Sequence, residues 1–165
     1  MKVIMILDQV QSGYGTKNDK MIPLVGTKEL IGPGVIMKPY LNEIDANIVA
    51  TLYCGTGTYI ENPEEVSRKI CGMVKRLKPD IVLCGPSLSY GDSASMCAKV
   101  AYDIVTTTNT KALAAISADS SEVIDMYNDK ITIIKTPNKG ESGLREAFKN
   151  ICSVAKRLVD SNEME

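Results

Sequence analysis

Two of the five cysteines in this 165-residue chain, Cys54 and Cys97, are the first candidates for chemistry. Cys54 ends an apolar run, and Cys97 falls in the first turn of a predicted helix, where the helix dipole lowers the pKa of a thiol and makes it nucleophilic. The alternative is that both are small buried residues, as free cysteines commonly are. We interpret Cys71, Cys84 and Cys152 as packing residues inside a predicted strand and predicted helices.

A second source of chemistry is the stretch 79–97, PDIVLCGPSLSYGDSASMC, around which the chain is organised. A short apolar strand ends there in a Gly-Pro turn, and a loop of hydroxyl residues leads into a helix from about Ser93. Open α/β sheets bind their ligands at such places, because unpaired backbone N–H groups and the helix dipole converge there. The turn at 54–61 has the same character. The two turns predict a substrate-binding mouth whose candidate residues are Gly55, Thr56, Glu61, Asn62, Gly85, Pro86, Ser87 and Tyr90.

A plainer interpretation of the Gly-Pro turn is that it only reverses the chain, since glycine and proline are the common turn residues.

The absence of histidine excludes several mechanisms: the sequence cannot support Ser-His-Asp hydrolysis, Cys-His nucleophiles or zinc sites with imidazole ligands. The five cysteines contain no CxxC pair, which argues against a disulfide framework and against a cysteine zinc site. We therefore predict no metal.

Composition points to an ordinary soluble domain. The formal net charge is −1, so we expect no nucleic-acid partner. No apolar run approaches the roughly 18 residues that a membrane span needs. The opening MKVIMIL is too short for a signal peptide and is typical of a first strand, so we expect a cytoplasmic protein.

Strand and helix patterns alternate along the chain. Apolar runs at 2–7, 46–53, 80–84, 112–116 and 131–135 predict five strands, each followed by a helix. This order indicates a three-layer, doubly wound, mostly parallel sheet of the flavodoxin or Rossmann kind. The polar segment 9–29 is interpreted as a lid or subunit contact. We expect one α/β domain over 1–160 and a frayed tail over 161–165.

Several segments also resemble one family. GPG at 32–34, IVATLYCGTGTYIENPEE at 48–65, KPDIVLCGPSLSYG at 78–91, the cysteine at 97 and DMYNDKITIIKT followed by GLREAF are similar to the N-terminal half of component B. Component B is the substrate-specific selenoprotein of the glycine, sarcosine and betaine reductases of anaerobic amino-acid fermenters. The resemblance runs from about Lys2 to Leu158. The matching positions are Gly32, Pro33, Gly34, Cys54, Gly55, Glu61, Asn62, Pro63, Gly85, Pro86 and Cys97.

The resemblance implies a division of labour between chains. A pyruvoyl-bearing partner subunit would bind the substrate amine as a Schiff base, and a selenocysteine would then accept the carboxymethyl group as the amine leaves. In the family that selenocysteine lies in a second half that we expect this chain to lack, so it or a cysteine equivalent would belong to another subunit. The resemblance implies no intrinsic cofactor and a small amino acid or amine as substrate.

Three functional hypotheses follow. The leading one is a subunit or stand-alone substrate-binding domain of an amino-acid reductase, and hence part of an oxidoreductase. The second is a non-catalytic small-molecule-binding or assembly protein of the same fold. The third is a flavodoxin-like electron carrier, for which the loop 12–16 is only a fair match. A homodimer is the default oligomeric expectation for a small α/β domain.

Overall fold

The computed structural model describes residues 1–88, 91–137 and 142–161. Its centre is a six-stranded sheet in the order β2-β3-β1-β4-β5-β6. Neighbouring strands are parallel, except that β2 is antiparallel to β3. The strands are β1 (Lys2–Asp8), β2 (Val25–Thr27), β3 (Asn47–Cys54), β4 (Ile81–Ser87), β5 (Lys111–Ser117) and β6 (Thr132–Thr136).

Helices cover both faces of this sheet. They are α1 (Gln9–Ser12), α2 (Pro33–Glu43), α3 (Thr56–Glu61), α4 (Pro63–Leu77), α5 (Gly91–Thr107), α6 (Ser121–Tyr127) and α7 (Leu144–Asp160). One hydrophobic cluster joins the sheet to α4 and α5, and the other joins it to α2 and α7. In the described part of the chain, no helix is both long and apolar enough to cross a membrane.

The first strand shows why an unbroken apolar run forms the middle of the sheet. Val3, Met5 and Leu7 pack towards α2 and α7, and the alternate residues Ile4 and Ile6 pack towards α4 and α5. Successive side chains of a strand point to opposite faces, so a strand covered on both faces must be apolar throughout. All five side chains are fully buried.

The α/β class, the mostly parallel sheet and the helices on both faces are confirmed. The predicted number of five strands is wrong, because the polar segment 9–29 contains the additional strand β2. This strand has only three residues, and none of them is fully buried. Such a short edge strand leaves no period-two pattern in the sequence.

The five parallel strands, numbered along the chain, lie in the order second, first, third, fourth, fifth. The chain therefore leaves β1 in one direction to reach β3 and then crosses back over β1 to reach β4. This reversal creates a topological switch point between the carboxyl ends of β1 and β4, which is where open sheets of this kind bind ligands.

Candidate functional site

Asp8, the last residue of β1, lies at the switch point. Its side chain is only 3% exposed. One carboxylate oxygen, Oδ1, accepts a 2.7 Å hydrogen bond from the backbone N–H of Gln11 and so caps α1. The other, Oδ2, accepts a 2.6 Å hydrogen bond from the Ser93 hydroxyl, which is 1% exposed. Asp8 thereby ties the end of β1 to the first turn of α5.

Gln9 makes a similar connection to the neighbouring strand. Its buried side-chain oxygen Oε1 accepts a 3.1 Å hydrogen bond from the backbone N–H of Thr56, the first residue of α3. Asp8 and Gln9 therefore tie the end of β1 to the starts of α5 and α3, the helices that follow its neighbours β4 and β3. None of Asp8, Gln9 and Ser93 is among the eight candidate binding residues. The sequence nevertheless places Asp8 and Gln9 at the carboxyl edge of the sheet, as a polar pair directly after the apolar run of β1, and Ser93 at the start of a predicted helix.

Part of the segment 9–29 packs against Gly55, which lies in the turn between β3 and α3. Its N–H donates a 2.8 Å hydrogen bond to the carbonyl of Ile22. A Cβ on Gly55 would lie 2.1 Å from the carbonyl oxygen of Lys20, which is closer than real Cβ atoms approach a neighbour. Glycine is therefore required here by close backbone approach, and the segment around 20–22 covers this side of the mouth.

The second predicted turn lies at the end of β4. Gly85 has a φ of +117°, which favours glycine, and its peptide bond to Pro86 is cis. The pairing of β4 with β5 shifts register between Cys84 and Ser87. Ser87 is 1% exposed, and among the residues that the structure describes its hydroxyl has no hydrogen-bond partner. A buried hydroxyl without a partner carries a desolvation cost of about 1–3 kcal/mol, so this atom has capacity for a ligand or a water.

The structure describes seven of the eight predicted binding residues and separates them into two groups. Five of them are buried at the carboxyl ends of β3 and β4, on either side of β1: Gly55, Thr56, Gly85, Pro86 and Ser87. Tyr90 lies outside the described residues. Glu61 and Asn62 are exposed at the junction of α3 and α4.

Asn62 belongs to a different feature from the mouth. It is the residue before Pro63 at the start of α4, and its side-chain amide donates to the Glu65 carboxylate (2.8 Å) instead of its side chain capping the helix. It also lines a groove of about 810 Å³ between α4 and α5. Most of the residues that line the groove are polar or charged, with Arg68 and Asp103 among them.

The two candidate thiols are buried beneath the site. Burial raises the pKa of Cys54 from its ordinary value of 9.0 to about 11. The pKa of Cys97 is also raised, by burial first and then by the nearby Asp8 carboxylate. The expected lowering of the Cys97 pKa is therefore wrong. Because α5 begins at Gly91, Cys97 lies in its second turn, beyond the helix end where the dipole acts.

These environments predict unreactive thiols. We expect native protein treated with iodoacetamide between pH 7 and 9 to remain unlabelled at Cys54 and Cys97, whereas urea-unfolded protein is labelled at both, as read by peptide mass spectrometry. An accessible thiol would react faster as the pH approaches 9, because the thiolate is the nucleophile. Rapid labelling of native Cys97 with that pH dependence would contradict the buried environment.

The raised pKa of Cys54 makes the free energy of unfolding depend on pH. Between pH 9 and 11 the unfolded chain loses the Cys54 proton while the folded protein keeps it, so the unfolded state binds fewer protons. The stabilisation from the protonated thiol is complete below pH 9 and is lost as the pH rises towards 11.

None of the described residues forms a group of three or more metal-ligating side chains.

Comparison with known proteins identifies the family. The family model described as glycine/sarcosine/betaine reductase selenoprotein B matches residues 1–165. The chain belongs to this family. The component B resemblance predicted from the sequence segments is thereby confirmed.

Curated component B proteins show the same relationship. The chain is 28% identical over 134 residues to the glycine reductase complex component B subunit gamma of Carboxydothermus hydrogenoformans, covering 81% of this chain and 30% of the relative. It is 26% identical over 170 residues to the sarcosine reductase complex component B subunit beta of Peptoclostridium acidaminophilum, covering 100% and 38%. The chain thus spans about a third of the length of these component B proteins. No solved structure matches it.

Proposed function

We propose that this chain is the substrate-binding domain of a component B-type amino-acid reductase, acting in the reductive cleavage of a small amino acid or amine. The observation that carries the proposal is the component B family match over residues 1–165. The proposed binding site is the carboxyl edge of β1, β3 and β4, and the features of this edge support the proposal. Glycine turns, buried polar side chains and the unpartnered Ser87 hydroxyl meet there at the topological switch point.

Within this proposal the reacting group comes from outside the chain. All five cysteines are buried, and the two nearest the mouth have raised pKa values. A selenocysteine or cysteine on another subunit would therefore accept the group cleaved from the substrate. A partner subunit would carry the pyruvoyl group, which supplies a carbonyl that condenses with the substrate amine. The contribution of this chain is to bind and orient the substrate and to exclude water.

Polar groups of the mouth suit that role. The Asp8 carboxylate already accepts two hydrogen bonds, and each of its oxygens has a further lone pair. The Ser87 hydroxyl adds a group that can donate or accept. A small zwitterionic substrate presents both an ammonium group, which donates, and a carboxylate, which accepts. The mouth therefore offers complementary partners to both ends of such a molecule.

The experiment that tests the proposal is an anaerobic affinity purification of the tagged chain from cells of its source organism, read by mass spectrometry. We expect to recover a pyruvoyl-bearing subunit together with a chain carrying selenocysteine or cysteine. The reconstituted assembly should cleave a small amino acid reductively. Recovery of the chain with itself alone would contradict the proposal and support a binding or assembly protein, for which a homodimer is the expected state.

The flavodoxin-like alternative has a separate readout. A carboxylate, Asp8, already caps the N-terminus of α1 directly after β1, and it would repel a flavin phosphate at this place. Purified protein should therefore be colourless and should not bind added flavin mononucleotide. A yellow protein with bound flavin would reverse this assignment.

A further inference from the structure

Exposed apolar side chains are concentrated at one edge of the molecule. Among the described residues, seven large apolar side chains are exposed, and five of them surround the carboxyl edge of β1 and β3. We call these five the apolar rim: Tyr14, Met21, Val35, Ile36 and Ile60, each 49–59% exposed. The other two, Leu77 and Met126, lie at or near the ends of α4 and α6.

Three rim residues lie at the carboxyl edge of β1 and β3, as their contacts show. Tyr14 stacks on Tyr53, the penultimate residue of β3, with ring centroids 5.1 Å apart. Met21 lies beside Gly57 of α3, since a Cβ on that glycine would be 2.7 Å from the methionine sulfur. Ile60 belongs to α3 itself, which directly follows the Gly55 turn. These residues border the candidate mouth.

The start of α2 supplies the remaining two. Gly32, which precedes the helix, approaches the carbonyl of Gln11 so closely that a Cβ would lie 2.0 Å from its oxygen. The first turn of α2 is thereby held next to α1, at the end of β1. Val35 and Ile36 are exposed in that turn while Met37 is buried, so the first part of the helix is apolar on its outer side as well as its inner side. A helix that faces only solvent normally carries polar side chains on its outer side.

The outer face of α4 provides a contrast. Its exposed positions are largely charged, with Glu64, Arg68, Lys69 and Lys75 among them. Charged outer faces are typical of helices that remain in solvent. Exposed apolar side chains grouped beside a ligand site are typical of a surface that another protein covers.

We infer that the apolar rim is the docking surface for the remaining part of component B, the part of the relatives that lies beyond the third matched here. The relatives extend well beyond the third of their length that this chain matches, so the family includes a large additional protein part. This inference rests on the proposed function, under which the reacting group must reach the mouth from outside. The rim borders that mouth, so a partner seated on it would close the site and exclude water from it. A second copy of the chain on the rim would instead place two mouths face to face.

Site-specific photocrosslinking tests the surface. Chains carrying benzoylphenylalanine in place of Tyr14, Ile36 or Ile60 are irradiated in anaerobic extract of the source organism, and the products are identified by mass spectrometry. The matched control carries the same group in place of Met126, which is 60% exposed but off the rim. We expect the rim positions to crosslink to a chain matching the remaining part of component B, and the control position not to do so.

Variants give a second measurement on the isolated complex. The double substitution Val35→Ser, Ile36→Ser should weaken association with that chain by about tenfold or more, because it removes two apolar side chains that the partner would bury. The control Met126→Ser should leave the affinity unchanged. Because all three side chains are more than half exposed, the melting temperature of each variant should stay close to that of the wild type.

The outcomes distinguish a failure of the docking surface from a failure of the proposed function. If reductase subunits co-purify but crosslink only through Met126, or if the rim variants bind normally, the docking surface is wrong while the proposed function stands. Crosslinks of the rim to a second copy of this chain overturn the inference in favour of a homodimer. If no reductase subunit is recovered at all, the proposed function fails and the inference fails with it.

Discussion

Replacing Gly85 with alanine is expected to destabilise the protein by about 3 kcal/mol or more, a large part of the 5–15 kcal/mol that holds a typical domain folded. The residue has a φ of +117°, which residues with a side chain rarely adopt. A Cβ there would lie 2.3 Å from the carbonyl oxygen of Ala115 in β5. That neighbour is backbone in the middle of the sheet and cannot move away without disturbing the pairing of the strands.

Thermal unfolding followed by circular dichroism measures this effect, and we expect the melting temperature to fall by roughly 10 °C. Gly72→Ala is the matched control, because Gly72 lies within α4 and a Cβ there meets nothing within 4 Å. Alanine is favoured over glycine in a helix by about 0.5–1 kcal/mol, so the control should be slightly more stable than the wild type. A Gly85→Ala protein that melts with the wild type would show that the backbone of this turn is less constrained than the contact with Ala115 implies.

The parts of the fold that could be predicted from sequence are those with a local signal. The first strand is a continuous apolar run because it is buried on both faces. Helix α4 begins at Pro63 with two acids in its first turn, and both features are local preferences. The short helix α3 was interpreted as a turn, since the glycines at 55 and 57 are typical of turns. Only its packing against the segment around 20–22 shows why glycine is needed.

The centre of the site could not be predicted in this way. Asp8 and Ser93 are 85 positions apart, and they meet because β1 and β4 are neighbours in the sheet. Strand order depends on how the crossover helices pack, which no short pattern encodes. The environment of Cys97 was misjudged for a related reason. Its pKa depends on burial by distant elements, and the start of α5 lay two residues earlier than the pattern indicated.

Replacing Asp8 with alanine is expected to lower the free energy of unfolding by about 3 kcal/mol. The loss of the helix cap on α1 accounts for about 1 kcal/mol. The Ser93 hydroxyl, 1% exposed, then has no acceptor, which costs a further 1–3 kcal/mol or so. Asp8→Asn should cost less, because the amide retains the shape, an acceptor for the Gln11 N–H and a donor towards the serine oxygen. Urea denaturation of both variants measures the difference.

A double-mutant cycle isolates the bond between β1 and α5 from the other effects of these substitutions. We expect Ser93→Ala to be costly in the wild type but nearly neutral in Asp8→Ala protein, because the second substitution then removes a hydroxyl that has already lost its partner. The expected coupling is about 1–2 kcal/mol, within the usual range for a charge-assisted hydrogen bond between buried groups. Strictly additive losses would mean that the 2.6 Å contact contributes nothing to stability. A measured coupling would show that the carboxylate at the switch point anchors the start of α5 beside the mouth. Under the proposed function, that helix start has to stay in place to position a substrate at the mouth.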